Sequence, residues 1–129
     1  MKNEFTMTAT IPAGVEAIYK AWLSTDGHTA MTGSPAKVDG RVNGAFTAWD
    51  GYIWGTFLEL EQDRRILQAW RTSEFPEDAE DSKVEVNFES AGKSTKITLR
   101  HWDIPKGQAD NYKQGWEDFY FGPMKEYFG

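Results

Sequence analysis

The stretch Asp110–Gly129 (DNYKQGWEDFYFGPMKEYFG) decides the fold. Its aromatic residues recur with the period of an α-helix, and the polar residues Gln114, Asp118 and Lys125 fall on the opposite side. The aromatic stripe, with Gly115 beside it, consists of Tyr112, Trp116, Phe119, Pro123 and Tyr127. A helix of this length would run roughly 30 Å. The stretch therefore predicts a long C-terminal helix that needs a large concave partner, and a curved sheet is the expected one.

The residues before this helix predict a first strand, a first helix and a series of antiparallel strands. Asn3–Ile11 alternates between apolar and polar residues, as a half-buried strand does. Helical spacing then predicts a first helix from Val15, Ile18, Tyr19 and Trp22. Asp26–Pro35 is predicted to be turn-rich, with room for one short helical turn. Six further strands are predicted over Ala36–Asp39, Gly44–Trp49, Tyr52–Glu61, Arg65–Ser73, Lys83–Ser90 and Ser94–Trp102.

The predicted fold class is α+β, in the order strand, helix, six strands, helix. Short turns such as Asp50-Gly51 favour a meander. The meander needs a cover for its apolar face, and the last helix supplies one. The length of 129 residues fits a single domain over residues 1–129. Inside the last helix, Gly122-Pro123 predicts an interruption, because Pro123 has no amide hydrogen and crowds the carbonyl of Phe119.

The composition argues against several classes of function. The net charge is −6, and no Lys/Arg cluster is present that would attract a phosphate backbone, so nucleic acid is not an expected partner. Cysteine is absent, which removes thiol catalysis and thiolate metal sites. No carboxylate cluster with His at ligand spacing predicts a metal site, and no motif predicts a cofactor. No window resembles a membrane span or a signal peptide, so the expected location is the cytoplasm.

The two histidines receive different predictions. His28 falls in the turn-rich segment and is expected to be exposed. Alternation places His101 on the inward face with Ile97 and Leu99. It is a proton donor lining a cavity, or a buried imidazole satisfied by a backbone carbonyl, or a residue at a strand end where the alternation fails. Because inward positions carry almost no Asp or Glu, catalysis is not expected, and an enzyme using His101 is kept as an alternative.

The six tryptophans divide into two groups. Trp22, Trp70 and Trp116 fit inward stripes and are predicted to lie in the core. An outward group is predicted to form a surface for a protein partner or a homodimer, unless Arg or Lys side chains cover it. This predicted partner surface consists of Trp49, Trp54, Trp102 and Phe121.

Several motifs, taken in order, resemble one known family. They are Val42–Phe46 (VNGAF), Asp50-Gly51 followed by Gly55-x-Phe57, Arg65–Arg71 (RILQAWR), and Gly115-Trp116 with Tyr120-Phe121. They are similar to the C-terminal domain of the activator of the 90-kDa heat-shock-protein ATPase. That family lies in the START and Bet v 1-like superfamily (SRPBCC), and the likeness covers essentially the whole chain. The resemblance implies the helix-grip fold, in which a curved six- to seven-stranded antiparallel sheet wraps a long C-terminal helix.

The resemblance also implies an apolar cavity between the sheet and the last helix. The lining carried over from the family consists of Phe46, Phe57, Trp70, Val86, His101, Trp116 and Tyr120. Alternatively, these bulky side chains fill the cavity themselves. The expected function is a non-catalytic binding module for an apolar small molecule. The alternatives are a co-chaperone-like or homodimerising interaction module and, less favoured, a cyclase- or hydratase-type cavity enzyme. The eukaryotic co-chaperone has a separate N-terminal domain for which 129 residues leave no room, so ATPase stimulation is not expected.

Overall fold

A computed structural model describes residues 3–129 as an antiparallel sheet with helices before and after it. The strands are β1 (Phe5–Ile11), β2 (Lys37–Val38), β3 (Ala45–Ala48), β4 (Ile53–Glu61), β5 (Arg65–Thr72), β6 (Ser82–Ala91) and β7 (Ser94–Trp102). The helices are α1 (Val15–Trp22), α2 (Thr25–Thr32), α3 (Ala109–Trp116) and α4 (Gly122–Phe128), with a π-helical segment (Glu117–Phe121) joining the last two. The predicted α+β helix-grip class and the predicted strands are confirmed.

The seven strands form one sheet in the order β1-β7-β6-β5-β4-β3-β2, and every neighbouring pair is antiparallel. The strands from β2 to β7 form the predicted meander. β1 is added at the edge of the sheet, where it pairs along β7 from Phe5↔His101 to Ile11↔Thr95. A register shift between Phe57 and Glu59 marks a bulge in β4, and bulges bend the strand that carries them. The sheet is therefore curved, with its concave face toward the C-terminal helix.

Close approach of two strands depends on a glycine in β4. Gly55 pairs with Phe46 of β3 and with Trp70 of β5. A Cβ at this position would lie 1.9 Å from the carbonyl oxygen of Ala69 and 3.1 Å from the Phe46 ring. The missing side chain thus lets Phe46 lie over the centre of the sheet, where it contacts Phe57 with ring centroids 5.2 Å apart.

The turn-rich prediction for Asp26–Pro35 is wrong over most of its length, because α2 occupies Thr25–Thr32. The helix begins at an N-cap: the Ser24 hydroxyl accepts the amide hydrogen of Gly27 at 2.9 Å. It ends at Gly33, whose φ of 80° is the left-handed conformation common at helix C-termini. The eight residues TDGHTAMT carry only a weak apolar pattern. The capping residues Ser24 and Gly33 therefore indicate this helix more clearly than its apolar pattern does.

The C-terminal helix buries a different stripe from the predicted one. Phe119 and Tyr127 are each 53% exposed, whereas Tyr120 and Met124 are buried. The buried residues repeat every four positions, at Tyr112, Trp116, Tyr120 and Met124. The π-helical segment causes this change, since its hydrogen bonds span five residues and turn the chain less per residue. One such bond joins the Gly122 amide to the Glu117 carbonyl.

The π-helical segment also explains why Phe121 does not lie on the polar side. Phe121 follows Trp116 by five residues, so a five-residue hydrogen-bond repeat brings the two side chains onto one face. Their rings stack with centroids 6.4 Å apart, and Phe121 is fully buried. Its assignment to a partner surface is therefore wrong. Pro123 lies in the first turn of α4, where the missing amide hydrogen of proline is tolerated.

Candidate functional site

An aromatic pocket opens between α3, the π-helical segment and the adjoining end of the sheet. Its volume is about 370 Å³. Seven of its ten lining residues are aromatic. The lining consists of Trp49, Tyr52, Ile53, Trp70, Asn111, Tyr112, Gly115, Trp116, Phe119 and Tyr120.

Trp49 belongs to this pocket and not to the outward surface predicted for it. The prediction extended the alternation of β3 by one residue, but β3 ends at Ala48. Trp49 has φ 50° and Asp50 has φ 56°, so the backbone leaves the extended conformation at this point. The turn redirects the Trp49 indole toward the C-terminal helix, where it meets Phe119 with ring centroids 5.2 Å apart.

Gly115 leaves the helix side of the pocket open. A Cβ at this position would meet only the Phe119 ring, at 3.8 Å, so the space beside it is free. The buried stripe beside it consists of large residues only, from Tyr112 to Met124. The glycine therefore produces a gap that the neighbouring aromatic side chains surround.

Three of the seven cavity residues carried over from the family line this pocket: Trp70, Trp116 and Tyr120. The other four are buried but do not line it, namely Phe46, Phe57, Val86 and His101. The reason is that Trp22 of α1 occupies the space behind the helix, where it stacks on Trp116 at 6.1 Å and lies 5.4 Å from Tyr120. The concave face is thus filled at one end and open at the other.

His101 is a buried, neutral imidazole with both ring nitrogens engaged. The Trp116 indole donates to Nδ1 at 3.2 Å, which leaves Nε2 as the protonated nitrogen. That nitrogen donates to the Ser82 hydroxyl at 2.8 Å, and the hydroxyl donates to the Trp70 carbonyl at 2.6 Å. Burial lowers the pKa of His101 to about 3. Of the possibilities left open by the sequence, the structure has the buried imidazole, but its hydrogen bonds are made by the side chains of Trp116 and Ser82 and not by a backbone carbonyl.

His28 is buried as well, which corrects its prediction as an exposed loop residue. Its Nδ1 donates to the Trp22 carbonyl at 2.9 Å, so Nε2 is free to accept. The Tyr120 hydroxyl donates to that nitrogen at 2.7 Å. Burial lowers the pKa of His28, in spite of the hydrogen bond to the Trp22 carbonyl, and raises the pKa of Tyr120. The pair positions one of the pocket's lining rings.

A second set of hydrogen bonds holds the mouth of the pocket. The Thr72 hydroxyl donates to the Tyr112 hydroxyl at 2.8 Å, and Tyr112 donates to the Gln108 side chain at 2.6 Å. Tyr52, which is 37% exposed, donates to the carboxylate of Glu74. These contacts connect the end of β5 to α3 and the loop after β5 to the turn before β4, and they fix two tyrosine rings at the rim.

The remaining outward tryptophans are partly covered by arginines. The Arg100 guanidinium lies 4.4 Å from the centroid of the Trp102 ring, which is only half-buried. The Arg71 guanidinium lies 5.9 Å from the Trp54 ring, and Trp54 remains 39% exposed. Trp54 is therefore the most exposed of the four residues of the predicted partner surface.

The described part of the chain contains no group of three or more His, Cys, Asp or Glu residues placed to hold a metal ion. Over the same residues, no helix is long and apolar enough to cross a membrane. The ten lining residues include no histidine and no charged side chain.

Comparison with known proteins agrees with this fold. The sequence profile of the family described as "Activator of Hsp90 ATPase homolog 1-like protein" matches residues 12–129. The human activator of 90 kDa heat shock protein ATPase homolog 1 is 25% identical over 126 residues, which are 98% of this chain and 37% of the human protein. The chain thus spans little more than a third of the length of that relative.

Two solved structures extend the comparison. An HSP90 activator from Plasmodium falciparum is 27% identical and superposes with a TM-score of 0.79, covering 92% of this chain and 89% of that one. CalU16 from Micromonospora echinospora is 21% identical with a TM-score of 0.81, covering 98% and 76% of the two chains. The second likeness concerns the fold alone.

Proposed function

The chain belongs to the activator of Hsp90 ATPase homolog 1-like family, and we propose that it is a non-catalytic binding domain for an apolar small molecule. The molecule lies in the aromatic pocket between α3 and the end of the sheet. One observation carries the proposal: the pocket has a volume of about 370 Å³ and seven aromatic walls. Small-molecule sites are commonly apolar clefts of roughly 300–1,000 Å³.

The chemistry of the lining supports binding over catalysis. General acid–base catalysis needs a titratable group within hydrogen-bond reach of the ligand. Both histidines lie behind the lining with their ring nitrogens engaged, His101 by Trp116 and Ser82 and His28 by Tyr120 and the Trp22 carbonyl. The lining hydroxyls of Tyr112 and Tyr120 are likewise engaged by protein groups.

A pair of helix variants tests the pocket. Gly115→Leu places a side chain in the open space without a backbone clash, whereas Gln114→Leu adds the same side chain at an exposed position of the same helix. The neutral fluorophore N-phenyl-1-naphthylamine, which brightens in apolar sites, serves as the probe. We expect saturable one-to-one binding by the wild type and by Gln114→Leu, and binding at least about tenfold weaker by Gly115→Leu. Equal binding by Gly115→Leu and the wild type would show that the pocket is not the site.

A second candidate function is protein interaction. The Plasmodium structure is called an HSP90 activator, and it matches this chain over nearly its full length. The exposed indole of Trp54, on the face of β4 that points away from the pocket, is the feature that favours a partner. Titration calorimetry with a 90-kDa heat shock protein is the test. Trp54→Ala should lower the affinity at least about fivefold, and Tyr127→Ala, which removes an exposed ring on α4, should not. A wild type without heat of binding would remove this candidate.

A further inference from the structure

We propose that the aromatic pocket prefers an apolar organic cation, such as a quaternary or protonated amine, to a neutral or anionic molecule of the same shape. This inference rests on the proposed function, because it names the ligand class of the same pocket. Four features of the described residues support it: the charge of the lining, the arrangement of the rings, the position of Glu74 and the surroundings of Arg71.

The lining offers no charged partner for an anion; its neutral N–H donors are the Asn111 amide and the buried indole groups of Trp49 and Trp70, which have no hydrogen-bond partner in the described structure. Its only side chain that is neither apolar nor aromatic is that of Asn111, and no Lys or Arg is among the ten residues. An anion entering such a site loses its water without gaining a charged partner, which is strongly unfavourable. Lys113 in α3 is exposed and lies outside the lining, in a helix that continues with the acidic residues Glu117 and Asp118.

The lining rings are set at different angles to one another. Trp70 and Tyr112 meet at 81° with centroids 5.0 Å apart, Trp49 and Phe119 meet at 65°, and Trp70 and Trp116 meet at 34°. The seven aromatic side chains of the lining therefore border the pocket without forming one parallel stack. The face of an aromatic ring carries partial negative charge, so a cation within about 6 Å of several faces is attracted by each of them.

Glu74 adds negative charge at the mouth. Its carboxylate accepts the hydrogen of the Tyr52 hydroxyl, which makes the Tyr52 ring more electron-rich. Burial raises the pKa of Tyr52, and the hydrogen bond to Glu74 raises it further. Burial also raises the pKa of Tyr112, and the negative charge of Glu74 adds to this. The carboxylate thus acts on two of the lining rings, and it opposes negative charge there as it favours positive charge.

Arg71, which follows the lining residue Trp70 in β5, is already paired with a carboxylate. Arg71 donates to the Asp81 carboxylate at 2.9 Å and to the carbonyls of Ala79 and Pro76. Its guanidinium lies over the ring of Phe75, outside the lining. The protein as a whole carries a net charge of −6, so the general field also favours a cation.

Three phenylalkyl probes with equal numbers of heavy atoms, of which the cation and the neutral molecule are isosteric, test the proposal by displacement of N-phenyl-1-naphthylamine at low ionic strength. The cation is trimethyl(2-phenylethyl)ammonium, the neutral molecule is (3,3-dimethylbutyl)benzene, in which carbon replaces nitrogen, and the anion is 4-phenylbutanoate. We expect the cation to displace the fluorophore with a dissociation constant about tenfold below that of the neutral molecule, and the anion to be the weakest. Glu74→Gln should reduce the cation-to-neutral ratio severalfold, whereas Glu77→Gln, in the same exposed loop, should preserve it.

The results separate this inference from the proposed function. If the neutral molecule or the anion displaces the fluorophore as well as the cation does, the cation preference is overturned and the pocket remains a binding site. An unchanged ratio in Glu74→Gln overturns the contribution of that carboxylate. If the fluorophore itself does not bind saturably, the proposed function fails and the ligand class falls with it.

Discussion

The hydroxyl of Tyr120 donates to Nε2 of His28 across 2.7 Å, although the two residues are 92 positions apart. His28 in turn donates through Nδ1 to the Trp22 carbonyl at the end of α1. The bond therefore joins the C-terminal helix to the corner between α1 and α2. It also sets the position of a ring that lines the aromatic pocket.

Removing this hydroxyl should destabilise the protein. Tyr120→Phe keeps the ring and leaves the buried Nε2 of His28 without its donor, which costs about 1–3 kcal/mol of unfolding free energy. Urea denaturation measures the difference. Tyr127→Phe is the control, because Tyr127 is about half exposed on α4, and it should change the free energy by less than about 0.5 kcal/mol. A Tyr120→Phe variant as stable as the wild type would contradict the assignment.

The two buried histidines predict a loss of stability in mild acid. Burial lowers the pKa of His28 from its ordinary value of 6.5 and that of His101 to about 3. Below pH 6.5 the unfolded chain binds protons that the native state does not, so the free energy of unfolding falls as the pH falls. Each histidine contributes a slope of up to about 1.4 kcal/mol per pH unit below pH 6.5, and His101 continues to do so toward pH 3.

Urea denaturation at a series of pH values between 7 and 5 measures this slope. His28→Gln should remove the share of one histidine. The NMR signals of the two imidazole rings in the native wild type should not titrate over the same interval. An imidazole that titrates with a pKa near 6.5 would show that it is accessible to protons in the native state.

The π-helical segment predicts opposite outcomes for two phenylalanines that are close in sequence. Phe121 is fully buried against Trp116, so Phe121→Ala should cost about 3–5 kcal/mol. Phe119 is 53% exposed, and Phe119→Ala should cost less than about 1.5 kcal/mol. Thermal or urea unfolding compares the two. A regular α-helix would place Phe119 inside and reverse the order.

Gly55 predicts a strong effect of one added methyl group. Gly55→Ala would place a Cβ 1.9 Å from the Ala69 carbonyl, which forces β4 and β5 apart and should cost several kcal/mol, about 3 or more. Gly14→Ala is the matched control, because a Cβ there meets nothing within 4 Å and the φ of −73° suits alanine. Circular dichroism during heating gives both melting temperatures, and a small loss at Gly55 would contradict the close contact.

Much of the fold could be predicted because strand alternation is a local property. In β6 the inward positions of Val84, Val86 and Phe88 follow directly from a period of two residues. The same local rule fails where the backbone leaves the regular conformation. Trp49 has a positive φ after β3, and Phe121 lies in the π-helical segment, so both were assigned to the wrong surface.

The candidate site was harder to predict because it depends on what fills the concave face. Strand parity placed Val86 and His101 inward, and the family resemblance added Phe57, as the structure has them, but neither tells which inward residues border an open space. That depends on the Trp22 side chain, which fills one end. Gly115, beside the aromatic stripe, was the one sequence signal for the open end, since it lies among large side chains on the helix.

The pairing of β1 with β7 has a consequence for how the chain folds. Phe5 and its partner His101 are separated by 95 intervening residues, so β1, which precedes the other six strands of the sheet in the chain, is among the last to be placed. Contacts of such long sequence separation slow folding, because the loop must close before the contact stabilises anything. During synthesis, the hairpins from β3 to β7 are able to form on their own. The apolar side chains of β1 remain exposed until β7 has been synthesised. This segment is therefore the one most in need of protection from aggregation on the ribosome.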